Sequence, residues 1–185
     1  MANALSINYD RLVNCIQTPV TLTNIFNQQQ IHSLGIWDTG ATNSVITRNA
    51  AIQLGLQPVA KTIVRGVHGE KVVNVYFVKI ALNNEQITLT TKVTECEELS
   101  AKHDVCMLIG MDIIKIGDFS ITNFDGKTVM SFIRPSQKKV DFVEDINEYN
   151  KILKIHEVWI KKGIKKCPCG SGKSFDNCHG KIQYR

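Results

Sequence analysis

No apolar run in this 185-residue chain approaches the length of a membrane span. The segment Met1-Ala2-Asn3-Ala4-Leu5-Ser6-Ile7-Asn8 lacks a basic stretch followed by an apolar core, so no signal peptide is expected. Internal repeats and low-complexity tracts are absent, which sets aside solenoid and repetitive architectures. Cysteine is sparse outside one C-terminal cluster. Cys15, Cys96 and Cys106 are an odd remainder that reads as small buried hydrophobes in a reducing compartment, and a cytoplasmic location is expected. The tripeptide Asp38-Thr39-Gly40 occurs only once, and that singularity matters below.

What is present divides unevenly. Met1 to Gln137 carries 11 Lys+Arg against 11 Asp+Glu, whereas Lys138 to Arg185 carries 11 against 6, so the whole net charge of +5 lies in the tail. A hydrophobic content of 43% suffices for one ordinary core plus an appendage. The basic tail favours acidic partners such as ribosomal RNA, an acidic chaperone or anionic lipid, and it equally serves to keep an exposed helix soluble.

In LGIWDTGATNSVIT, an apolar strand-like approach (Leu34, Ile36, Trp37) delivers Asp38 into a tight turn built from Thr39 and Gly40. Asp-Thr-Gly is also ordinary turn chemistry, with Asp bonding its own backbone and Gly supplying positive φ. The surroundings add meaning. Ile63 to Val73 reads as two strands around a glycine-bounded tip, and CMLIGMDII (Cys106–Ile114) as an apolar pair, Gly110 and a helical turn. In this order and spacing, the segment from about Pro19 to Arg134 resembles a lobe of the retropepsin-like aspartic proteases, with Ala41 matching the retroviral version.

That resemblance implies a mainly β fold: a closed, folded barrel with a short helix. It implies that Asp38, Thr39 and Gly40 form the catalytic loop, and that Ala41 with the flap tip Gly66, Val67, His68 and Gly69 meets an extended peptide or protein substrate. Asp112 supports the loop structurally, because no Thr-Gly turn projects it. One loop supplies half of the carboxylate pair that shares a proton in such enzymes, so a homodimer with its site on the two-fold axis is expected. Trp37 is expected to fill core behind the loop, and Glu95, Glu97, Glu98, Asp104, Asp118 and Asp125 to be solvated. No cofactor is expected for catalysis.

The second constellation is CPCGSGKSFDNCHG. Cys167, Cys169, Cys178 and His179 satisfy a tetrahedral zinc with no vacant position, a structural rather than catalytic arrangement. A reduced cluster or a disulfide pair is the alternative. The segment is very similar to the SEC-C motif, the zinc-binding tail of the export ATPase SecA that is also found on many bacterial proteins. The resemblance implies association with a SecB-like chaperone or the ribosome, with Lys173 and Phe175 facing the partner.

Between the two lies a helical pattern over Val140 to Ile160, with Val143, Ile146, Tyr149, Leu153, His156 and Ile160 on one face. His156 there reads as an interface residue rather than a ligand. In the body, strands are expected over Val20–Phe26, Ile31–Trp37, Val72–Leu82, Ile87–Val93, Phe119–Phe124 and Thr128–Ile133, with hairpin turns at Asn83-Asn84 and Asp125-Gly126 and a helix over Asn43–Leu54. The expected organisation is a protease domain over 1–136, an amphipathic connecting helix over 137–164 and a zinc-binding module over 165–185. Two functions fit: a homodimeric aspartic endopeptidase recruited by its tail, or a non-catalytic dimerisation and binding module acting as an adaptor.

Overall fold

The computed structural model describes residues 2–66, 69–82, 86–100 and 104–181. They divide into two units, 1–137 and 138–185. The described residues of the first unit form ten strands and two short helices: β1 Asn3–Tyr9, β2 Gln17–Thr23, β3 Gln30–Trp37, β4 Val45–Thr47, α1 Arg48–Gln53, β5 Ala60–Gly66, β6 Gly69–Leu82, β7 Ile87–Cys96, β8 Val105–Ile109, α2 Met111–Ile114, β9 Asp118–Phe124 and β10 Lys127–Arg134.

Strands β2-β3-β8-β4-β7-β6 pair in that order, and β6 returns to β2 through Val20↔Leu82 to Thr23↔Lys79, which closes a six-stranded barrel. The expected mainly β, closed-barrel architecture with a short helix is therefore what the chain adopts. Closure removes sheet edges except at the appended β5. Leu22, Ile46, Val78, Ile80, Leu82, Met107 and Ile109 point inward at 0% exposure and form the core with Leu54 of the α1 C-terminus. Alternation along β6 (Tyr76, Val78, Ile80, Leu82 buried) is the period-2 signature of a half-buried strand.

A separate sheet, β1-β10-β9, packs beneath the barrel through Leu5, Met130 and Phe132. The turn joining β9 to β10 is Asp125-Gly126, with φ of 51° and 72°, the doubly positive pattern of a two-residue hairpin. Strand β1 escaped the reading of the N-terminus, although Leu5, Ile7 and Tyr9 alternate in it. The expected helix over Asn43–Leu54 is corrected: Val45-Ile46-Thr47, all β-branched, form β4 between β7 and β8. The helix starts only at Arg48, where the Thr47 hydroxyl accepts from the Ala50 N–H. The Asn83-Asn84 turn lies outside the described residues.

The second unit contains α3 Phe142–Lys161, which Asp141 caps by accepting from the N–H groups of Val143 and Glu144. Its buried side chains are Ile152 and His156, with Tyr149 and Leu153 half-buried; Val143 and Ile160 of the expected stripe are exposed. Among the described residues no helix is long and apolar enough to cross a membrane.

Candidate active site and metal cluster

Parallel pairing of β3 with β8 brings Trp37 beside Ile109 and carries both strands to the same edge of the barrel. The chain leaves β3 at Asp38, whose N–H donates to the Ile109 carbonyl (3.0 Å). The turn then closes on itself: the Gly40 N–H donates to Asp38 Oδ1 (2.8 Å) and the Ala41 N–H to the Asp38 carbonyl (3.3 Å). One carboxylate oxygen is thereby held, while the residue stays half-exposed at the surface beside exposed Thr39 and Gly40. Behind it, Trp37 is 6% exposed, donates Nε1–H to Thr18 Oγ1 (2.9 Å) and stacks on Phe119 at 5.2 Å, filling core as expected.

The turn rests on a second layer. Met111 N–H donates to the Ala41 carbonyl (2.8 Å) and Asp112 N–H to the Thr42 carbonyl (3.1 Å). Fully buried Ser44 accepts from the Gly110 N–H (2.9 Å) and donates to Asp112 Oδ1 (2.7 Å). Asp112 therefore braces the loop from the side. Position 110 must be glycine for this approach, because a Cβ there would lie 2.7 Å from the Asn43 backbone.

Strands β5 and β6 form the hairpin that projects from the barrel. Gly66 pairs with Gly69, so the connection is two residues long, and its members Val67 and His68 lie outside the described residues. Ile63 and Val72 face each other across the pair at 60% and 62% exposure, with no core beneath them.

Glu95 is not solvated, contrary to the sequence reading. It lies on β7 at 8% exposure and accepts from Tyr76 OH (2.5 Å), Asn74 Nδ2 (3.1 Å) and Arg48 Nε (3.0 Å). Burial works to raise its carboxyl, but those three hydrogen bonds outweigh it and hold the group below the ordinary glutamate range. A depressed folded-state value means the stabilisation is complete above the unfolded value of about 4.3 and disappears only as pH falls through the lower folded one. Wild type is therefore expected to lose part of its stability between those limits. Glu95→Gln should lack that part of the acid dependence in urea titrations run from pH 7 to pH 2.5.

In the second unit, Cys167, Cys169, Cys178 and His179 place their ligand atoms within 4.8 Å of one another. Cys167 Sγ lies 3.2 Å from His179 Nδ1, Cys169 Sγ 3.5 Å from Cys178 Sγ, and Cys178 Sγ 3.4 Å from His179 Nδ1. Four Zn–ligand bonds of about 2.0–2.3 Å in a tetrahedron need similar edges, so the cluster could hold a metal ion. Gly170 and Gly172, at φ of 79° and 74°, turn the loop back, and the Cys167 N–H donates to the Lys173 carbonyl (2.8 Å). The Ser171 hydroxyl, followed by its backbone, draws the Cys169 thiol down to about 6, while burial pushes Cys167 up. Within the same loop, Phe175 stacks on buried His156 at 3.6 Å. Phe175, expected to face a partner, is half-buried, its ring engaged within its own unit under a close approach by Gly180. Lys173 remains exposed.

Solved structures similar to this chain include aspartic proteases. A retropepsin-like aspartic protease from Rickettsia conorii shares 14% identity over 72% of this chain and 95% of its own, at a TM-score of 0.43. The retroviral protease-like domain of Ddi1 from Leishmania major shares 18% over 59% and 82%, at 0.42. The simian foamy virus (mac) protease shares 14% over 54% and 92%, at 0.38. No curated protein matches the chain. Residues 24–113, just under half of the chain, match the family described as aspartyl protease, and it is to those proteases that the stretch from the end of β2 through the Asp38 turn to α2 is similar.

Proposed function

We propose that the chain is an aspartic endopeptidase acting as a homodimer, with Asp38 of each subunit forming the catalytic pair. The observation that carries this reading is the Asp38 turn itself. A single carboxylate is presented at an exposed surface, held by Gly40 and braced through Ser44 and Asp112. Two such carboxylates across an axis share one proton, because both cannot ionise at close range. The ionised member takes a proton from water as the water oxygen attacks the peptide carbonyl carbon; the protonated member donates to the carbonyl oxygen. Collapse of the tetrahedral species returns a proton to the leaving nitrogen and breaks the C–N bond. The β5–β6 hairpin, with Gly66, Val67, His68 and Gly69 at its tip, covers the extended substrate and excludes water, and Ala41 lines the floor.

The Cys167, Cys169, Cys178 and His179 set holds structural zinc in this reading, and the basic unit around it recruits the enzyme to acidic partners of the translation or export machinery, as a SEC-C tail would. Exposed Lys161, Lys162, Lys165, Lys166 and Lys173 support that assignment.

A dilution series tests the shared site. Cleavage of an unfolded protein, blocked by pepstatin-type inhibitors, should fall more steeply than in proportion to enzyme as the dimer seen by sedimentation dissociates. Full activity per chain from a strict monomer overturns the reading.

A further inference from the structure

The proteolytic reading leaves the buried carboxylate of Glu95 without a role, and its position is specific. Strand β6 changes partner at Val75: from Gly69 to Asn74 it pairs with β5, Val75 pairs with both β5 and β7, and the stretch to Leu82 pairs with β7. Val75 is thus the hinge at which the hairpin leaves the barrel. Its carbonyl also accepts from the Val59 N–H (2.8 Å), so both arms of the hairpin converge there. Asn74 and Tyr76 bracket this residue, and both donate to Glu95.

On its other side Glu95 is tied to the segment that follows the Asp38 loop. Glu95 pairs with Ile46 of β4, the strand that leaves that loop, and Arg48 two residues later closes the network from α1. The adjacent Thr94 pairs with Val75 and donates its N–H to the Ser44 carbonyl (3.2 Å), and Ser44 is the residue that braces Gly110 and Asp112. The hinge and the Asp38 turn are therefore both referenced to the same two residues of β7. Further out, the described residues of the hairpin carry exposed ion pairs, Lys71–Glu97 and Arg65–Glu70, which solvent and salt weaken.

We infer that Glu95 is a positioning residue: by gripping Asn74 and Tyr76 at the hinge and Arg48 behind the catalytic loop, it sets the height and angle of the covering hairpin over Asp38. Stability alone does not require a carboxylate here, since apolar replacements of buried ion pairs are often neutral or better. Directional bonds from two sides of one hinge fix an orientation that apolar packing leaves loose. The inference rests on the proteolytic reading for its consequence, but not for its geometry.

Amide hydrogen exchange on the full chain tests the geometry, and steady-state kinetics test the consequence. Glu95→Gln keeps the size of the side chain, and Tyr76→Phe removes one donor while keeping the ring. In both, exchange across 60–66 and 69–74 should accelerate about tenfold, as expected for a lost bond to a charged group, while β2, β3 and β8, which follow global stability, accelerate distinctly less. KM for an unfolded substrate should rise by about tenfold with kcat changed less than about twofold, because the dyad itself is untouched. Unchanged hairpin exchange, or acceleration spread evenly over the barrel, overturns the assignment, as does a loss confined to kcat. Should the wild type cleave nothing, the proteolytic reading fails, while exchange confined to the hairpin still decides whether Glu95 tethers it.

Discussion

Asp38→Asn is expected to abolish peptide hydrolysis, with a loss of at least about 100-fold and no loss of fold. Positioned acid–base groups contribute on that scale, and here one substitution removes both halves of the pair. The amide keeps the oxygen that accepts from the Gly40 N–H, and the Asp38 backbone bond to Ile109 is unaffected, so the turn has no reason to rearrange. What disappears is the negative charge that deprotonates water and the shared proton that meets the carbonyl oxygen. The same variant reports on assembly. Wild type equilibrated with an excess of Asp38→Asn should lose most of its activity, because mixed pairs carry only one carboxylate. Activity that survives in Asp38→Asn, or a mixture that merely sums its components, would sink the shared-dyad mechanism. Thermal denaturation of the variant separates a chemical loss from an unfolded protein.

The second large effect is expected on removing metal from the C-terminal unit. Among its described residues only Ile152, His156 and Cys167 are buried, far too few to repay the ordering of a loop of this length. The stacked His156–Phe175 pair adds one aromatic contact. Zinc bound by three thiolates and an imidazole contributes on the order of 10–16 kcal/mol in comparable small sites, more than any packing visible here. Chelation at neutral pH should therefore unfold the stretch from Cys167 to His179, seen as loss of its dispersed NMR amide signals, while signals of the barrel persist. Metal analysis of the native protein should find one zinc per chain, and Cys178→Ser should lose it. No zinc in the purified protein, or unchanged content in Cys178→Ser, would dispose of the site. The Nδ1 atom of His179 faces the sulfurs, so metal binding leaves the ring proton on Nε2.

The Asp38 turn and the Cys/His cluster could be read from the sequence for the same reason: their geometry is local. An aspartate, its neighbour and a glycine build a turn by bonds spanning two residues, as between Gly40 and Asp38. Cys167, Cys169, Cys178 and His179 sit on one short loop whose glycines make the return possible. The Asp125-Gly126 hairpin is legible on the same terms. Where local signals competed, the sequence misled. Val45-Ile46-Thr47 lay within a run that also suited a helix, and pairing with two strands from beyond residue 90 decided for β4. Phe175, expected to face a partner, stacks on a buried histidine nineteen positions upstream.

The sequence by itself determined the turn, its glycine-marked partners in their order, the clustering of three cysteines and a histidine on one loop and the placing of all excess charge in the tail. Only the tertiary structure decided how these are held. Ser44 between Gly110 and Asp112, and Glu95 between Arg48, Asn74 and Tyr76, join residues 19 to 68 positions apart, and nothing in the identity of a lone glutamate says which donors will reach it. Pairing of β7 with β6 on one side and with β4 on the other brings the donors of Glu95 together. It is also what turns Glu95 from an apparently solvated acid into a buried one, since a carboxylate leaves water only where the fold has already assembled its partners.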